Sequence, residues 1–309
     1  MFRSVRFFRL NNAWPESEQA LSERLSSAAF KPCGSYSERS TGWEPPTGDA
    51  DGALTRRVHG ADFLRLRSQT RLLPAAAVDD ALETRLAQWR ERMKMEPSRR
   101  EARKLKAQTR DELLPKALLK SQRTRGFVIA SERLIAVDTL SDTRAEDFLE
   151  HLRAPLGGLD VLPLGFKRPF GELLTRIFLG DPPRGFELGR ECRMCDPSDT
   201  KASIRCSDMD LAEQAVRRHL REGMRLTHLE IAFENILTCT LDEKGGIGKL
   251  ALVGADVDED LPDEDPLARL DAEIALLTGT LRRLVSALAQ NLGGYDDVAA
   301  LPERMAVGA

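Results

Sequence analysis

The sequence lacks any apolar stretch that approaches the roughly 20 residues needed to cross a bilayer. Its first ten residues, MFRSVRFFRL, are interrupted by arginine and are typical of a first strand rather than a secretion signal. With 309 residues, 41% hydrophobic and 31% charged, the composition is that of an ordinary globular protein. We therefore expect a cytoplasmic protein that does not enter a membrane.

The sequence also has few of the residues and motifs on which catalysis depends. The four histidines are scattered, and none has an Asp or Glu at a spacing that would indicate a catalytic pair. The GxxxxGK(S/T), HExxH and GxSxG motifs are missing, and the glycine-rich residues 245–249 are typical of a hairpin turn. Acidic residues are concentrated in one segment, whereas a nuclease metal site needs carboxylates that converge from strands. We predict no catalytic residue, no metal site and no cofactor, and hence not an enzyme.

Cysteine is scarce and odd in number. The five cysteines include a lone CxxC at Cys192 and Cys195. Cys206, His219 or Cys239 could complete a zinc site, although their spacing matches no known zinc module. Since nothing in the sequence indicates secretion, we interpret them as reduced, buried thiols.

A basic arm at residues 90–125 is the most informative feature that is present. It holds thirteen Lys/Arg against five Asp/Glu, an excess of eight in a chain of formal net charge −3. Arg99, Arg103, Lys106 and Arg110 follow i, i+4, i+7, i+11 spacing, which lines one face of a helix. Like charges on one face repel, so the pattern favours a polyanionic partner such as nucleic acid, with a solvated surface helix as the alternative.

The helix that carries these cations has a clear start. Pro97 interrupts a helical pattern over residues 75–119, and Ser98 and Glu101 predict a capping box. The segment after Ser98 has few apolar residues, chiefly Ala102, Leu105 and Ala107. We therefore expect an element that projects from the body of the protein.

Charge is unevenly distributed between the two ends of the chain. Residues 251–309 contain four Lys/Arg and twelve Asp/Glu, and residues 256–265 contain seven acidic and no basic residues. A solvated loop is the simpler interpretation. An acidic rim that repels DNA or contacts a basic partner is the alternative.

Strand and helix patterns alternate along the rest of the chain. Strands are predicted at residues 5–10, 54–58, 62–67, 127–129 and 134–137, and helices at 15–29 and 143–153. A meander is predicted at 226–233, 236–241 and 249–253. A long helix over 265–292 is predicted to bury Leu267, Leu270, Ile274, Leu277, Leu281, Leu284 and Leu288. The fold class is therefore α+β with antiparallel sheets.

A second basic patch follows from a predicted helix over residues 207–223. Ser207 is its expected N-cap, with Asp208 and Asp210 in the first turn and Leu211, Ala215 and Leu220 buried. Its C-terminal half and the next residues carry Arg217, Arg218, Arg221 and Arg225. Cations there suit the helix dipole, so a purely structural role is the alternative to DNA binding.

Several short stretches resemble the RdgC family of recombination-associated proteins. The opening ones are AFKPCG at 29–34, GWEPP at 42–46 and ALT at 53–55. Weaker ones follow in order: LLP at 72–74, LLPKA at 113–117, AED at 145–147, LLTG at 276–279 and LGG at 292–294. Ser207, Asp208 and Met209 stand where family members can carry Lys-Lys-Gln, and Leu118 and Ser121 where they can carry aromatic residues.

The resemblance implies a curved, multi-region subunit with a projecting helical tip that closes as a ring-shaped homodimer around a positively charged hole. Such proteins bind double-stranded and single-stranded DNA without marked sequence preference, associate with the nucleoid and restrain RecA-dependent recombination. The implied regions are a central region (1–73, 121–165 and 266–309), the tip (74–120) and a base (166–265).

The sequence and the resemblance together give a set of candidate DNA-binding residues. They are Arg71, Arg99, Arg100, Arg103, Lys104, Lys106, Arg110, Lys116, Lys120 and Arg123 in and beside the tip, and Arg217, Arg218, Arg221 and Arg225 in the base. A DNA-processing nuclease and a protein-only interaction module with a basic arm are the alternative functions.

Overall fold

The computed structural model describes residues 2–49, 51–199, 201–253 and 265–296. This part of the chain folds into two antiparallel sheets and seven α-helices. The helices are α1 (Glu18–Ser26), α2 (Ala75–Met93), α3 (Arg99–Leu113), α4 (Asp142–Leu156), α5 (Phe170–Leu179), α6 (Gln214–Arg221) and α7 (Pro266–Asn291). No described helix is both long enough and apolar enough to cross a membrane.

The first sheet is formed by the N-terminal half of the chain. Its strands are β1 (Arg6–Leu10), β2 (Arg39–Trp43), β3 (Thr55–Val58), β4 (Ala61–Leu72), β5 (Leu118–Ile129), β6 (Leu134–Val137) and β7 (Val161–Pro163). They follow the order β2-β4-β5-β6-β1-β7, and β3 pairs with β4 beside β2.

The second sheet is formed by a later part of the chain. Its strands are β8 (Phe186–Cys195), β9 (Ser203–Cys206), β10 (Arg225–Phe233), β11 (Leu237–Asp242) and β12 (Ile247–Leu252), in the order β12-β11-β10-β8-β9. Paired backbone hydrogen bonds between Val5 and Ile247, of 2.7 and 3.0 Å, join it to the start of β1.

Alternation of side chains gives the first sheet two buried faces. Val128 of β5 packs with Trp43, α1 and α4 on one face, whereas Phe127 and Ile129 belong to a core shared with α5, α7 and the second sheet. Trp43 meets Phe148 of α4 edge-on at 5.1 Å and donates through its indole nitrogen to the His151 carbonyl. These contacts fix α4 against the sheet.

Strands β4 and β5 continue beyond the core as a two-stranded ribbon. All twelve residues of β4 pair in register with β5, from Ala61 opposite Ile129 to Leu72 opposite Leu118. The inner part of the ribbon is buried, and the outer part of β5 is exposed. Helices α2 and α3 form a helical hairpin at its outer end, so the ribbon connects this hairpin to the core.

The structure confirms most of the predicted elements. The class is α+β with antiparallel sheets, the strands predicted at 54–58 and 62–67 correspond to β3 and β4, which pair as a hairpin, and the meander is β10-β11-β12. The predicted break at Pro97 separates α2 from α3. The regional division and the ring-shaped homodimer remain predictions. The acidic segment 256–265, apart from Asp265, lies outside the described residues.

Three expectations about individual elements are wrong. The helical pattern was expected to reach residue 119, but β5 already begins at Leu118 because each of its residues pairs with β4. The helix expected from Ser207 begins at Gln214, since Asp208 has a left-handed backbone (φ 52°) that no α-helix accommodates. Burial also differs from expectation. Leu211 is buried but lies outside α6, Ala215 and Leu267 are exposed, and Leu220 and Leu270 are half-buried.

Candidate nucleic-acid interface

The predicted capping box fixes the start of α3. Ser98 Oγ accepts a hydrogen bond from the Glu101 amide at 3.3 Å, and a Glu101 carboxylate oxygen accepts one from the Ser98 amide at 2.8 Å. These bonds from the side chain and backbone of Ser98 hold the pKa of Glu101 below its ordinary value. Because the cap is closed, the cations of α3 begin at the first helical residue.

Polar contacts hold the helical hairpin together. Arg85 of α2 donates to both carboxylate oxygens of Glu112 at 2.7 Å and to Thr109 Oγ1 at 3.1 Å. Val78 is the one buried residue of α2, and Thr109 the one buried residue of α3. The hairpin therefore buries little apolar surface and exposes most of both helices, as the sequence predicts for α3.

Four cations of α3 are exposed and have no ion pair within the described residues. They are Arg99, Arg100, Arg103 and Lys104. Arg99 and Arg100 occupy the first two positions of the helix, where the macrodipole disfavours positive charge by about 0.3–1 kcal/mol per cation. We call these four residues the free α3 cations. Their placement costs stability and leaves all four positive charges available to an anion.

The other two predicted α3 cations are neutralised. Lys106 pairs with Asp79 of α2 at 2.7 Å, and Arg110 pairs with Glu38 at 2.6 Å. The predicted basic face is therefore divided: its N-terminal half is uncompensated, and its C-terminal half helps to attach the hairpin. Exposed ion pairs of this kind contribute little to stability, typically below about 1 kcal/mol.

Arg71 has a role that the sequence did not indicate. Its guanidinium donates to the carbonyls of Leu114, Pro115 and Ala117 at 3.1–3.2 Å and to that of Gly34 at 3.2–3.3 Å. These are the carbonyls at the end of α3 and in the short helical turn Leu114–Lys116 that follows. Arg71 thus holds the end of the helical hairpin against the ribbon, and each of its three guanidinium nitrogens already donates a hydrogen bond.

The ribbon does not bring the remaining predicted cations onto one face. Lys116 is exposed in the turn after α3, and Lys120 is exposed on β5. Arg123 lies an odd number of residues along the same strand, so it faces the opposite side from Lys120. Lys120 shares its face with Gln122 and Thr124, which line a cleft of about 820 Å³ beside α4.

Arg123 belongs to a group of basic residues that sequence analysis missed. Arg65 and Arg67 on β4 lie directly opposite Arg125 and Arg123 on β5. Three of these arginines contact one carboxylate, that of the buried Glu44. Its distances are 2.8 Å to Arg65, 3.5 Å to Arg67 and 2.6 Å to Arg123. We call Arg65, Arg67, Arg123 and Glu44 the Glu44 cluster.

The spacing of the arginines in the sequence indicates the Glu44 cluster only when the pairing of β4 with β5 is known. Arg65, Arg67 and Arg71 are separated by two and four residues, and Arg123 and Arg125 by two, so the even spacing places each set on one face of a strand. The two sets are far apart in sequence, and Glu44 is distant from both. Recognising them as one group requires the register of β4 with β5.

Two of the four arginines of the second predicted patch are neutralised by ion pairs. Arg218 pairs with Glu222 at 3.2 Å and Arg225 with Glu243 at 3.1 Å. Arg217 is half-buried and packs against Gly180. Arg221 is exposed and makes no ion pair within the described residues. The structure therefore gathers fewer free cations on α6 than on α3.

The family model described as "Putative exonuclease, RdgC" matches residues 1–295 of this chain. The chain belongs to the RdgC family. The resemblance drawn from the short sequence stretches is thereby confirmed over nearly the whole length of the protein.

Curated members of the family align with the chain from end to end. The Recombination-associated protein RdgC of Edwardsiella ictaluri is 33% identical over 300 residues, which cover 95% of this chain and 98% of the relative. That of Shewanella oneidensis is 30% identical and covers 97% and 99%, respectively. That of Sodalis glossinidius is 29% identical and covers 95% and 97%. The alignments therefore cover nearly all of this chain and of each relative.

The cysteines of this RdgC family member are buried and unpaired, as predicted. Cys192 on β8 lies opposite Cys206 on β9, and burial raises the pKa of Cys192 to about 12. Burial likewise raises the pKa of Cys239 to about 12. Among the described residues, no group of three or more His, Cys, Asp or Glu side chains has the arrangement of a metal site.

Proposed function

We propose that this RdgC family member binds DNA through its phosphate backbone, without reading sequence, and thereby restrains RecA-dependent recombination. The observation that carries the proposal is the set of free α3 cations, which are exposed at an energetic cost and have no ion-pair partner in the part of the chain that the structure describes. Arginine and lysine bind phosphates irrespective of the bases, and they do so through charge and counterion release.

A closed dimer fits this mode of binding. We propose that two subunits encircle duplex DNA, with the helical hairpin at one junction. Met93 and Met95 lie at the far end of the hairpin, and their side chains are 48% and 60% exposed. Exposed apolar side chains of this kind suit contact with a second subunit. Restraint of recombination then follows because an encircled duplex is less accessible to a RecA filament.

We further propose that binding occurs without cleavage, so that the protein is not an enzyme. The alternatives remain a nuclease, which the word exonuclease in the family description favours, and a module that docks its basic arm on an acidic protein. The proposed site on α3 consists of cations alone, which can hold a phosphodiester but provide no general base or metal ligand to cleave it.

One experiment separates these functions. The protein is titrated into end-labelled random-sequence duplex and single strands, with and without magnesium, and both binding and strand length are recorded. We expect salt-sensitive binding, similar affinity for unrelated sequences and intact strands. Shortened strands would identify a nuclease, and no binding to bare DNA would favour a protein partner.

The ring is tested separately by small-angle scattering and light scattering at micromolar concentration. We expect the mass of a dimer and a pair-distance distribution with the depletion at short distances that a hollow particle produces. A monomer under these conditions would exclude the closed ring while leaving phosphate binding by α3 untouched.

A further inference from the structure

The Glu44 cluster has more positive charge than its internal contacts neutralise. Within the described residues, Arg65, Arg67 and Arg123 have Glu44 as their one ion-pair partner. Three cations on one carboxylate leave an excess of two positive charges. The excess is sheltered from water, since the side chains of Arg65 and Arg67 are only 18% and 26% exposed.

Partial burial makes this excess expensive. Burial lowers the pKa of Arg65 below its ordinary value, and the attraction of Glu44 offsets only part of that effect. The Nε atom of Arg67 is buried without an acceptor among the described residues. A second anion at this position would relieve both deficits, because charge interactions strengthen as water is excluded.

The cluster is also held in a fixed arrangement. The Arg67 guanidinium lies over the Phe30 ring at 4.4 Å and donates to Ser121 Oγ at 3.2 Å. The Glu44 carboxylate lies 2.8 Å from the Nε atom of Arg65 and 2.6 Å from the Nε atom of Arg123, so it contacts both guanidinium groups along the same edge. The Arg123 side chain is 45% exposed, so one edge of the group is open to solvent. A planar guanidinium held by one edge presents its other edge to an oxyanion.

We propose that the Glu44 cluster binds a phosphate group of the DNA backbone, and that Glu44 is the resident counter-ion that positions the arginines and limits the affinity of the site. The proposal rests on the DNA binding proposed above. It adds a second contact point, on the ribbon rather than on α3, and a residue whose removal strengthens binding instead of weakening it.

The decisive variant is Glu44→Gln, which keeps the shape and one acceptor oxygen while removing the competing charge. We expect its affinity for duplex to rise by roughly threefold or more at moderate salt. The salt slope should steepen by about 0.9, the value for one additional phosphate contact. A purely structural carboxylate would instead give unchanged or weaker binding, and that result in a folded variant overturns the proposal.

Asp147→Asn is the matched control. Asp147 lies on α4, beside the opposite face of the ribbon, and pairs with Arg39 at 2.6 Å. Its replacement changes the net charge by the same amount, so a general charge effect would appear in both variants. We expect the control to leave the salt slope unchanged, and an equal gain in both variants would refute a specific role for Glu44.

A second variant keeps the proposal testable if Glu44→Gln does not fold. Arg67→Gln combined with Arg123→Gln removes the two more exposed arginines, and we expect duplex binding about tenfold weaker with a salt slope flatter by about 0.9. Binding and slope equal to those of the parent would overturn the proposal.

A measurement without DNA separates this site from the proposed function. Inorganic phosphate is compared with chloride at equal ionic strength, and the melting temperature of each protein is recorded. We expect phosphate to stabilise the parent and Glu44→Gln, but not the double arginine variant. Equal phosphate effects in all three proteins would refute the site, even if DNA binding by α3 is confirmed. A phosphate effect specific to the cluster would support it, even if DNA binding fails.

Discussion

Replacing the free α3 cations with alanine separates DNA binding from folding. Arg99, Arg100, Arg103 and Lys104 make no ion pair within the described residues. Their removal should therefore change the free energy of unfolding by less than about 1 kcal/mol. Two effects act in the stabilising direction and offset any small loss of packing: alanine favours helix, and loss of Arg99 and Arg100 removes cations from the wrong end of the dipole.

The effect on DNA binding follows from the number of charges. Each phosphate contact contributes about 0.9 to the slope of log affinity against log salt, so four contacts contribute about 3.6. Between 50 and 200 mM salt, a slope of that size corresponds to about a 150-fold loss of affinity. Over this salt range, the fall in duplex affinity should therefore be about 150-fold larger for the parent than for the variant. Fluorescence anisotropy over this salt range, combined with chemical denaturation, measures both quantities.

A second quadruple variant controls for net charge. Arg24, Lys31, Arg184 and Lys201 are also exposed and make no ion pair among the described residues, but they lie outside the helical hairpin. Their replacement with alanine should leave the salt slope close to that of the parent. If the α3 variant binds duplex with the slope of the parent, α3 is a solvated helix and the reasoning is wrong. If it unfolds, the four side chains are not free.

Four further predictions test individual contacts. Arg71→Gln should lower stability by about 2–3 kcal/mol and reduce amide protection at the end of α3, as measured by hydrogen exchange, because several backbone carbonyls lose their donor. Since the pKa of Glu101 is lowered in the folded protein, the cap should be intact above the ordinary glutamate range, near pH 4, and protection of α3 should be lost as the pH falls below it. Cys239, with its pKa raised to about 12, should resist iodoacetamide at pH 8 in the native protein and react only after unfolding. Gly42→Ala should destabilise the protein by several kcal/mol in thermal denaturation, because the added Cβ would lie 2.6 Å from backbone atoms of Phe30.

Local signals in the sequence were reliable where neighbouring residues determine the structure. The start of α3 was predictable because Ser98 and Glu101 cap the helix through hydrogen bonds that span three residues. The periodic burial of α7 was predictable for the same reason from Ile274 to Leu288, whereas Leu267 is exposed and Leu270 is half-buried. The spacing alone predicted a basic face on α3, although two of its four members, Lys106 and Arg110, are paired in the structure.

Features that depend on distant partners were not predictable. The outer half of β5 carries Lys120, Gln122 and Thr124 without apolar alternation, and it is a strand only because β4 pairs with it. The neutralisation of Arg110 by Glu38 and the attachment of Arg71 to the end of α3 also require the folded chain. The sequence therefore indicates the cations, while the tertiary structure decides which of them are free.

The register of the ribbon has a consequence for how this protein tolerates change. Leu72 and Leu118 are direct cross-strand partners, so the chain leaves and re-enters the ribbon at one point. In terms of chain entropy, everything between them is a loop of the β4-β5 hairpin, and doubling the length of a flexible loop costs only about 0.6 kcal/mol. The pairing of β4 with β5 therefore places little constraint on the number of residues between them. What fixes the hairpin to the rest of the chain is local: buried Val78 and Leu114, the Arg110–Glu38 pair and the bonds from Arg71.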